Sequence, residues 1–508
     1  MGPSAAEYDF IVVGAGSAGC VVAARLTEDP DTRVLLLEAG GREPLEAVAL
    51  PRAWPSLTGS SMDWGDHTVV LEGVGRTEAW PRGRGPGGSS AINAMAFMRG
   101  HRASHDAWVS AGLKGWGFDD LLPYLKRTER VEGRDPAVRG QDGPLSLWTP
   151  TEPHPLSLAA MEAVGQVGHP VVDDINSGLA EGFGWGEFTI VDGKRQSAAD
   201  AYLLPVLDRP NLDLVTDALV HRLVVDGDRC TGVEYSTGTS VVTAHCSSEV
   251  LLAAGAVGTP QLLMLSGIGP QEHLREFGIP VLADVPDVGA NVHDHPMTTL
   301  IHHSTRPVPP STSNGGGEVK GTLRSSPEVP WPDLQVFCSV VPLRTATLPG
   351  PEPGAGYTLA VGLMAPFSRG TVRLAGPTPG ALPVIDPRYY TDGRDVDAMV
   401  TGLRIARELG TAPAFDAWRG AEAQPGVGTQ SEEELRAYVH RSLRSYHHYA
   451  GTCRMGVDDR AVVDADLRLR GFQGVRVVDA SVMPSPVSAN TNATVYAIAE
   501  RAVELVRS

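Results

Sequence analysis

Glycines at positions 14, 16 and 19, followed nineteen residues later by Glu38, are the residues whose types and spacing point most directly to chemistry. The stretch Phe10-Ile11-Val12-Val13-Gly14-Ala15-Gly16-Ser17-Ala18-Gly19 reads as a strand, a glycine turn and the start of a small-residue helix. Val34-Leu35-Leu36-Leu37 reads as a second strand with an acid at its tip. In such a unit Gly14 allows the tight turn, Gly16 lets the backbone approach a pyrophosphate, and Gly19 lets the helix pack close to the strand, while the helix N-terminus offers amide donors to the anion. Glu38 is placed to accept hydrogen bonds from a ribose, and its charge argues against a 2'-phosphate. The pattern predicts a bound dinucleotide and leaves open which one.

Other clusters carry weaker chemical signals. The loop Pro81 to Asn93 is rich in glycine, contains Arg82 and Arg84, and runs into the apolar Ala94-Met95-Ala96-Phe97-Met98. Such a loop can bring backbone amides against a flat ring or a phosphate. His293-Asp294-His295 and His302-His303 have the residue types of metal ligands but not the spacing of a known site, so no metal is assigned. Ser89-Ser90 lies outside any GxSxG and is not read as a nucleophile. His447-His448 stands ahead of Gly451-Thr452-Cys453-Arg454-Met455-Gly456; by itself a histidine pair is more often structural than catalytic.

These residues need a large scaffold, and 508 residues suggest about three domain-sized units. With 42 basic and 60 acidic residues the formal charge is −18, which disfavours nucleic acid and anionic membrane surfaces as partners. Five scattered cysteines without a CxxC indicate neither a disulfide framework nor a zinc knuckle, and fit a reducing, cytoplasmic compartment. The first strand begins by Tyr8, which leaves no room for a signal peptide in this chain. The uncharged run Val250 to Gly269 is broken by Gly255, Gly258, Pro260 and Gln261 and reads as strand, turn and helix rather than a membrane span, with Thr259 as N-cap and Pro260 at the first helical position.

Between these signals, residues 104 to 150 show amphipathic helices, and alternating strands are expected near 212–215, 220–225 and 232–235. Residues 306 to 332, rich in Pro, Ser and Gly and including Gly315-Gly316-Gly317, read as a mobile lid or a plain linker. Strands return from Leu334 to Leu374 as an antiparallel sheet, helices cover Val396 to Leu409 and Glu432 to Leu443, and a strand at Val475 to Asp479 precedes a closing helix, Ala493 to Val506.

Taken together, the motifs resemble those of the glucose-methanol-choline (GMC) family of FAD-dependent oxidoreductases, from residue 8 to the C-terminus. The fifteen residues Gly255 to Gly269 are similar to the family's second signature throughout, and Gly83 to Asn93 to its first, with Pro86 where an aliphatic residue is usual. Val288 to Pro296 and Gly451 to Gly456 match two shorter family segments. The resemblance implies an α/β protein: a Rossmann-like FAD-binding domain assembled from 1–154, 191–299 and 441–508, and an α+β substrate domain built on an antiparallel sheet from 155–190 and 300–440.

By the same resemblance, FAD would be held by Gly14, Gly16, Ser17, Ala18, Gly19, Glu38 and Ala39, with Arg84, Gly87, Gly88, Ser89, Asn93, Ala94, Met95 and Ala96 along the flavin. Val220 would meet the adenine, Ala254 and Gly255 would open the second signature, and Asp479, Ala480, Asn490 and Thr491 would lie near the pyrophosphate and flavin. Some relatives attach the flavin covalently through a histidine where this chain has Ile92, so noncovalent FAD is expected. The catalytic pair falls on His448 and Asn490; Tyr449 stands where proline usually follows the histidine, which keeps His447 as a second candidate. The implied reaction is oxidation of an alcohol to an aldehyde or ketone, with hydride passing to flavin N5, His448 as base and Asn490 as hydrogen-bond partner.

Dioxygen, a quinone or another acceptor would reoxidise the flavin. A non-redox lyase or decarboxylase on the same fold is the alternative, and a flavoprotein kept for binding or structure a third reading. Choline, aryl alcohols, sugars and a secondary-metabolite intermediate all remain open as substrates. A quaternary ammonium cage would need an acid and an aromatic cluster, and which of Trp64, Trp331, Phe337 or Tyr446 line the cavity is not legible in the sequence.

Overall fold

The computed structural model describes residues 8–311, 313, 316–345 and 347–508. Two seven-stranded sheets organise them. In the first, Tyr8–Val13 lies between Val34–Leu37 and the end of Ser240–Leu252, parallel to both. Leu212–Val215 extends the parallel set on one side, and Val475–Val477 joins it beside Val250, Leu251 and Leu252. Val34–Leu37 and the neighbouring Ile11, Val12, Val13, Val250, Leu251 and Leu252 are all aliphatic and buried, as strands covered on both faces are. The outer part of Ser240–Leu252 instead continues an antiparallel meander with Arg229–Thr237 and Ala218–Asp226.

The helix Ser17–Leu26 packs on this sheet, and the helix Asn492–Arg507 packs on it in turn. Close approach explains Gly19: a Cβ there would stand 1.8 Å from the Gly14 carbonyl oxygen. Gly14 itself has φ +99° and no space for a side chain against the Ala253 carbonyl, which is why this turn demands glycine.

The second sheet is antiparallel throughout, in the order Arg419–Gln424, Pro296–Ser304, Gly356–Leu363, Leu334–Ser339, Gly316–Leu323 and Gly182–Trp185. Arg444–Ser445 pairs with the start of Pro296–Ser304 and so carries the chain from this sheet straight into His447 and His448. The helix Gly393–Thr411 covers one face with Val396, Met399, Val400, Leu403 and Ala406, an apolar stripe at helical spacing. The mixed α/β architecture expected from the sequence is thus the one observed.

Several local expectations change. The segment expected as a lid or linker contains the buried strand Gly316–Leu323; of its glycine triplet, residue 315 lies outside the described residues. Glycines there mark an irregularity in the strand, where pairing with Leu334–Ser339 shifts register between Gly316 and Lys320. The helix expected to start at Thr259 starts at Gly255. Pro260 lies inside it, and the Ala256 carbonyl that a proline cannot serve accepts instead from the Thr452 hydroxyl at 2.6 Å. Thr259 caps nothing; its hydroxyl donates to Asp479 Oδ2 at 2.6 Å. No helix among the described residues is long and apolar enough to cross a membrane.

Candidate active site

Two cavities, of about 220 Å³ and 560 Å³, share Ser89, His447, Thr491 and Asn492 as lining residues. The smaller runs over the glycine turn. It is lined by Gly14, Gly16, Ser17, Ala18, Glu38, Ala39, Gly88, Ser89, Val220, Ala254, Gly255, Asp479, Ala480 and Thr491, segments far apart in the chain. Gly16 borders open space, since a Cβ there would have no neighbour nearer than 3.9 Å. The helix Ser17–Leu26 begins at this point with no side-chain cap, so its first amides face the cavity without a competing oxygen. The helix Asn492–Arg507 likewise starts uncapped, at the junction of the two cavities. A cradle with two uncapped helix N-termini and a glycine wall fits a dinucleotide with an extended ring system.

Glu38 is buried, accepting from the backbone N–H of Ala15 at 2.9 Å, Gly40 at 2.8 Å and Gly85 at 2.9 Å. It therefore ties the first glycine turn to the second glycine loop while still bordering the cavity. Asp479 accepts from Gly255 N–H at 2.9 Å and Ser481 N–H at 2.8 Å, and burial raises its proton affinity.

Four expected residues line neither cavity. Gly19 packs on Gly14, and Gly87 donates its N–H to Ala15 O. Met95, at φ 57°, turns into a cluster with Phe188 and Ile190. Arg84 is exposed and donates to Ala39 O, whereas the cavity is bordered by Arg82, whose guanidinium stacks 4.3 Å over Trp64.

The larger cavity is lined by Ser89, Asn93, Ala94, Ala96, His448, Asn490 and Thr491 among the expected residues, and by Ile92. Asn490 Nδ2 stands 3.1 Å from His448 Nε2, although the two residues lie 42 positions apart. On the far side of the ring, His448 Nδ1 is 2.8 Å from His295 Nδ1. With Nε2 accepting from Asn490, a neutral His448 carries its proton on Nδ1 and donates it to His295. Burial pushes the proton affinity of His448 well below that of a free histidine, with the neighbouring His295, His447 and Lys320 acting in the same direction. The Asn490 carbonyl oxygen is buried and has no partner.

The loop holding His448 is fixed from beneath. Asp294 accepts from His448 N–H at 2.7 Å, from the Ser445 hydroxyl at 2.5 Å and from the Tyr389 hydroxyl. Tyr446 stacks on the His448 ring with centroids 4.5 Å apart. Tyr449, in the position where proline is usual, stacks on Trp80 at 3.8 Å and borders the smaller cavity. His447 faces both cavities, with φ 65° and its Nδ1 3.0 Å from the Tyr449 hydroxyl.

Sequence reasoning overlooked Asp294 and His295 as supports of the loop that holds His448, having considered them only as metal ligands. The one signal was their place in the segment Val288 to Pro296. Among the four aromatics in question, Phe337 and Tyr446 line the larger cavity and Trp64 the smaller, while Trp331 lines neither.

Comparison with known proteins shows the family and the fold. Models of the N-terminal and C-terminal parts of the GMC oxidoreductases match residues 8–297 and 366–499. The chain is 40% identical to human mitochondrial choline dehydrogenase over 99% of its own length and 90% of the relative's. It is 38% identical to pyridoxine 4-oxidase of Microbacterium luteolum, covering 97% and 98% of the two chains. The solved structure of pyridoxine 4-oxidase from Mesorbium loti superposes with a TM-score of 0.95 at 39% identity, covering 98% and 99%. A formate oxidase variant from Aspergillus oryzae superposes with a TM-score of 0.91 at 27% identity, covering 99% and 98%. The chain belongs to the GMC family of FAD-dependent oxidoreductases.

Proposed function

We propose that the protein oxidises a small-molecule alcohol to an aldehyde or ketone at the His448–Asn490 pair. The observation that carries this reading is the 3.1 Å pairing of a buried, neutral imidazole nitrogen with an amide donor on the wall of a cavity continuous with the dinucleotide cradle. An alcohol oxygen placed between the two groups meets an acceptor for its proton and a donor for its lone pair. His448 Nε2 takes the hydroxyl proton, and the resulting imidazolium is stabilised through its Nδ1–H at His295. Asn490 Nδ2 donates to the same oxygen as negative charge grows on it, which is where a fixed donor contributes most to rate. Bound FAD supplies the acceptor for the hydride that leaves the carbinol carbon.

Of the two histidines, His448 faces Asn490, while the His447 ring is engaged by Tyr449. FAD is held without a covalent bond in this reading, because Ile92 presents only carbon at the position used for attachment in some relatives. The division into an FAD domain (1–154, 191–299, 441–508) and a substrate domain (155–190, 300–440) and the cytoplasmic location belong to the same proposal, as does a final acceptor such as dioxygen or a quinone.

The test is anaerobic mixing of the holoenzyme with a panel of primary and secondary alcohols. Loss of the oxidised flavin's visible absorbance is expected in the wild type and not in His448→Ala. No loss with any alcohol would overturn the reading in favour of non-redox chemistry. Acid precipitation should release the FAD into the supernatant; flavin retained in the pellet would contradict noncovalent binding.

A further inference from the structure

The larger cavity carries charge of a single sign. Its lysine and arginine lining residues are Arg52, Lys320 and Arg444, and among the described residues no Asp or Glu lines it, in a chain whose net charge is −18. Arg52 is exposed at the rim. Arg444 donates to Leu343 O at 3.1 Å and lies in the field of Glu78.

Lys320 differs from both. It projects from the strand Gly316–Leu323 opposite Phe337, is 3% exposed, and its ammonium lies 5.4 Å from the Phe188 ring centroid. Glu318, two residues earlier, is occupied elsewhere, accepting from His154 N–H at 2.8 Å and the Ser313 hydroxyl at 3.0 Å. Burial is the one influence resolved on the lysine's proton affinity, which it pushes down to about 7, and no carboxylate opposes it. A desolvated ammonium without a counter-ion is costly, and an anion arriving in the same cavity relieves that cost.

We propose that Lys320 is the specificity-determining anchor of this cavity, selecting alcohols that carry an anionic oxygen group whose charge meets the ammonium while the carbinol lies at His448 and Asn490. This rests on the alcohol-oxidising reading above. It also sets the cavity against quaternary ammonium alcohols. Phe337 and Tyr446 offer aromatic faces to such a cation, but no lining carboxylate does, and Lys320 repels it.

The experiment separates binding from turnover in the FAD-loaded enzyme. Benzoate, toluene and phenyltrimethylammonium are titrated while the bound flavin's absorbance is followed, and 4-(hydroxymethyl)benzoate, 4-methylbenzyl alcohol and 4-(trimethylammonio)benzyl alcohol are then tested as anaerobic reductants. The wild type is expected to bind benzoate on the order of tenfold or more tighter than the other two. Lys320→Met should abolish that preference and Lys320→Arg should keep it. Absence of the preference in the wild type, or its survival in both Lys320→Met and Lys320→Gln, overturns the anchor. Lysine-dependent benzoate binding without flavin reduction by these or any other alcohol of the wider panel leaves the anchor standing and removes the alcohol-oxidising reading.

Discussion

Replacing His295 by leucine tests whether the imidazole of His448, the proposed base, is oriented from behind. His295 borders neither cavity, yet its Nδ1 is 2.8 Å from His448 Nδ1, and both rings are buried. Leucine removes the acceptor and leaves a buried N–H without a partner, a cost of about 1–3 kcal/mol. His448 can avoid that cost by moving its proton to Nε2, the atom that faces Asn490, and then loses the lone pair that would take the substrate proton. At 1.36 kcal/mol per tenfold in rate, the expected slowing of flavin reduction is about 5- to 160-fold.

Because His295 does not line the substrate cavity, the loss should fall on the limiting reduction rate and leave the dissociation constant unchanged. His295→Asn, which restores an acceptor at shorter reach, should recover part of the rate. Anaerobic stopped-flow measurement of flavin absorbance against substrate concentration separates the two parameters. A limiting rate equal to the wild type's in His295→Leu, with full FAD occupancy, would refute the orientation argument.

Lys320 ties stability to pH. Its folded-state value of about 7 lies below the ordinary lysine value of 10.5, so the unfolded chain binds more protons between these limits and this group's penalty shrinks as pH rises from 7 towards 10. Below pH 7 the full penalty, on the order of 4–5 kcal/mol, is present, so Lys320→Met should raise the thermal midpoint more at pH 6.5 than at pH 10; an equal rise at both would count against a charged buried lysine. Thr452→Val strands the Ala256 carbonyl beside Pro260 and should cost about 1–3 kcal/mol, seen as a lowered unfolding midpoint that Thr452→Ser restores. Gly16→Leu fills space on the cradle wall while meeting little protein, so the apoprotein should keep its far-UV circular dichroism and lose FAD on gel filtration; undiminished FAD would show that the cofactor does not pass this wall.

The first glycine turn was legible because its constraints are local. A positive φ at Gly14 and a 1.8 Å approach at Gly19 admit only glycine, and four consecutive aliphatics between turn residues and an acid suit a short strand covered on both faces. Composition misled where tertiary pairing overrode it. Gly316 to Leu323 looks like loop by residue type, yet the neighbouring strands Gly182–Trp185 and Leu334–Ser339 supply the hydrogen bonds that make it sheet. Thr259-Pro260 has the look of a helix start, but the Thr452 hydroxyl, far along the chain, serves the carbonyl that the proline leaves open.

The sequence by itself thus determined the dinucleotide turn, the α/β class and, through its motifs, the family, since these depend on backbone geometry and residue order over short spans. Only the tertiary structure decided that His448 meets Asn490 on one side and His295 on the other, across 42 and 153 positions of chain. It alone put Lys320 into the cavity without a carboxylate. A side chain's protonation and partners depend on what surrounds it in space, and here those surroundings come from strands and loops that the linear order keeps apart.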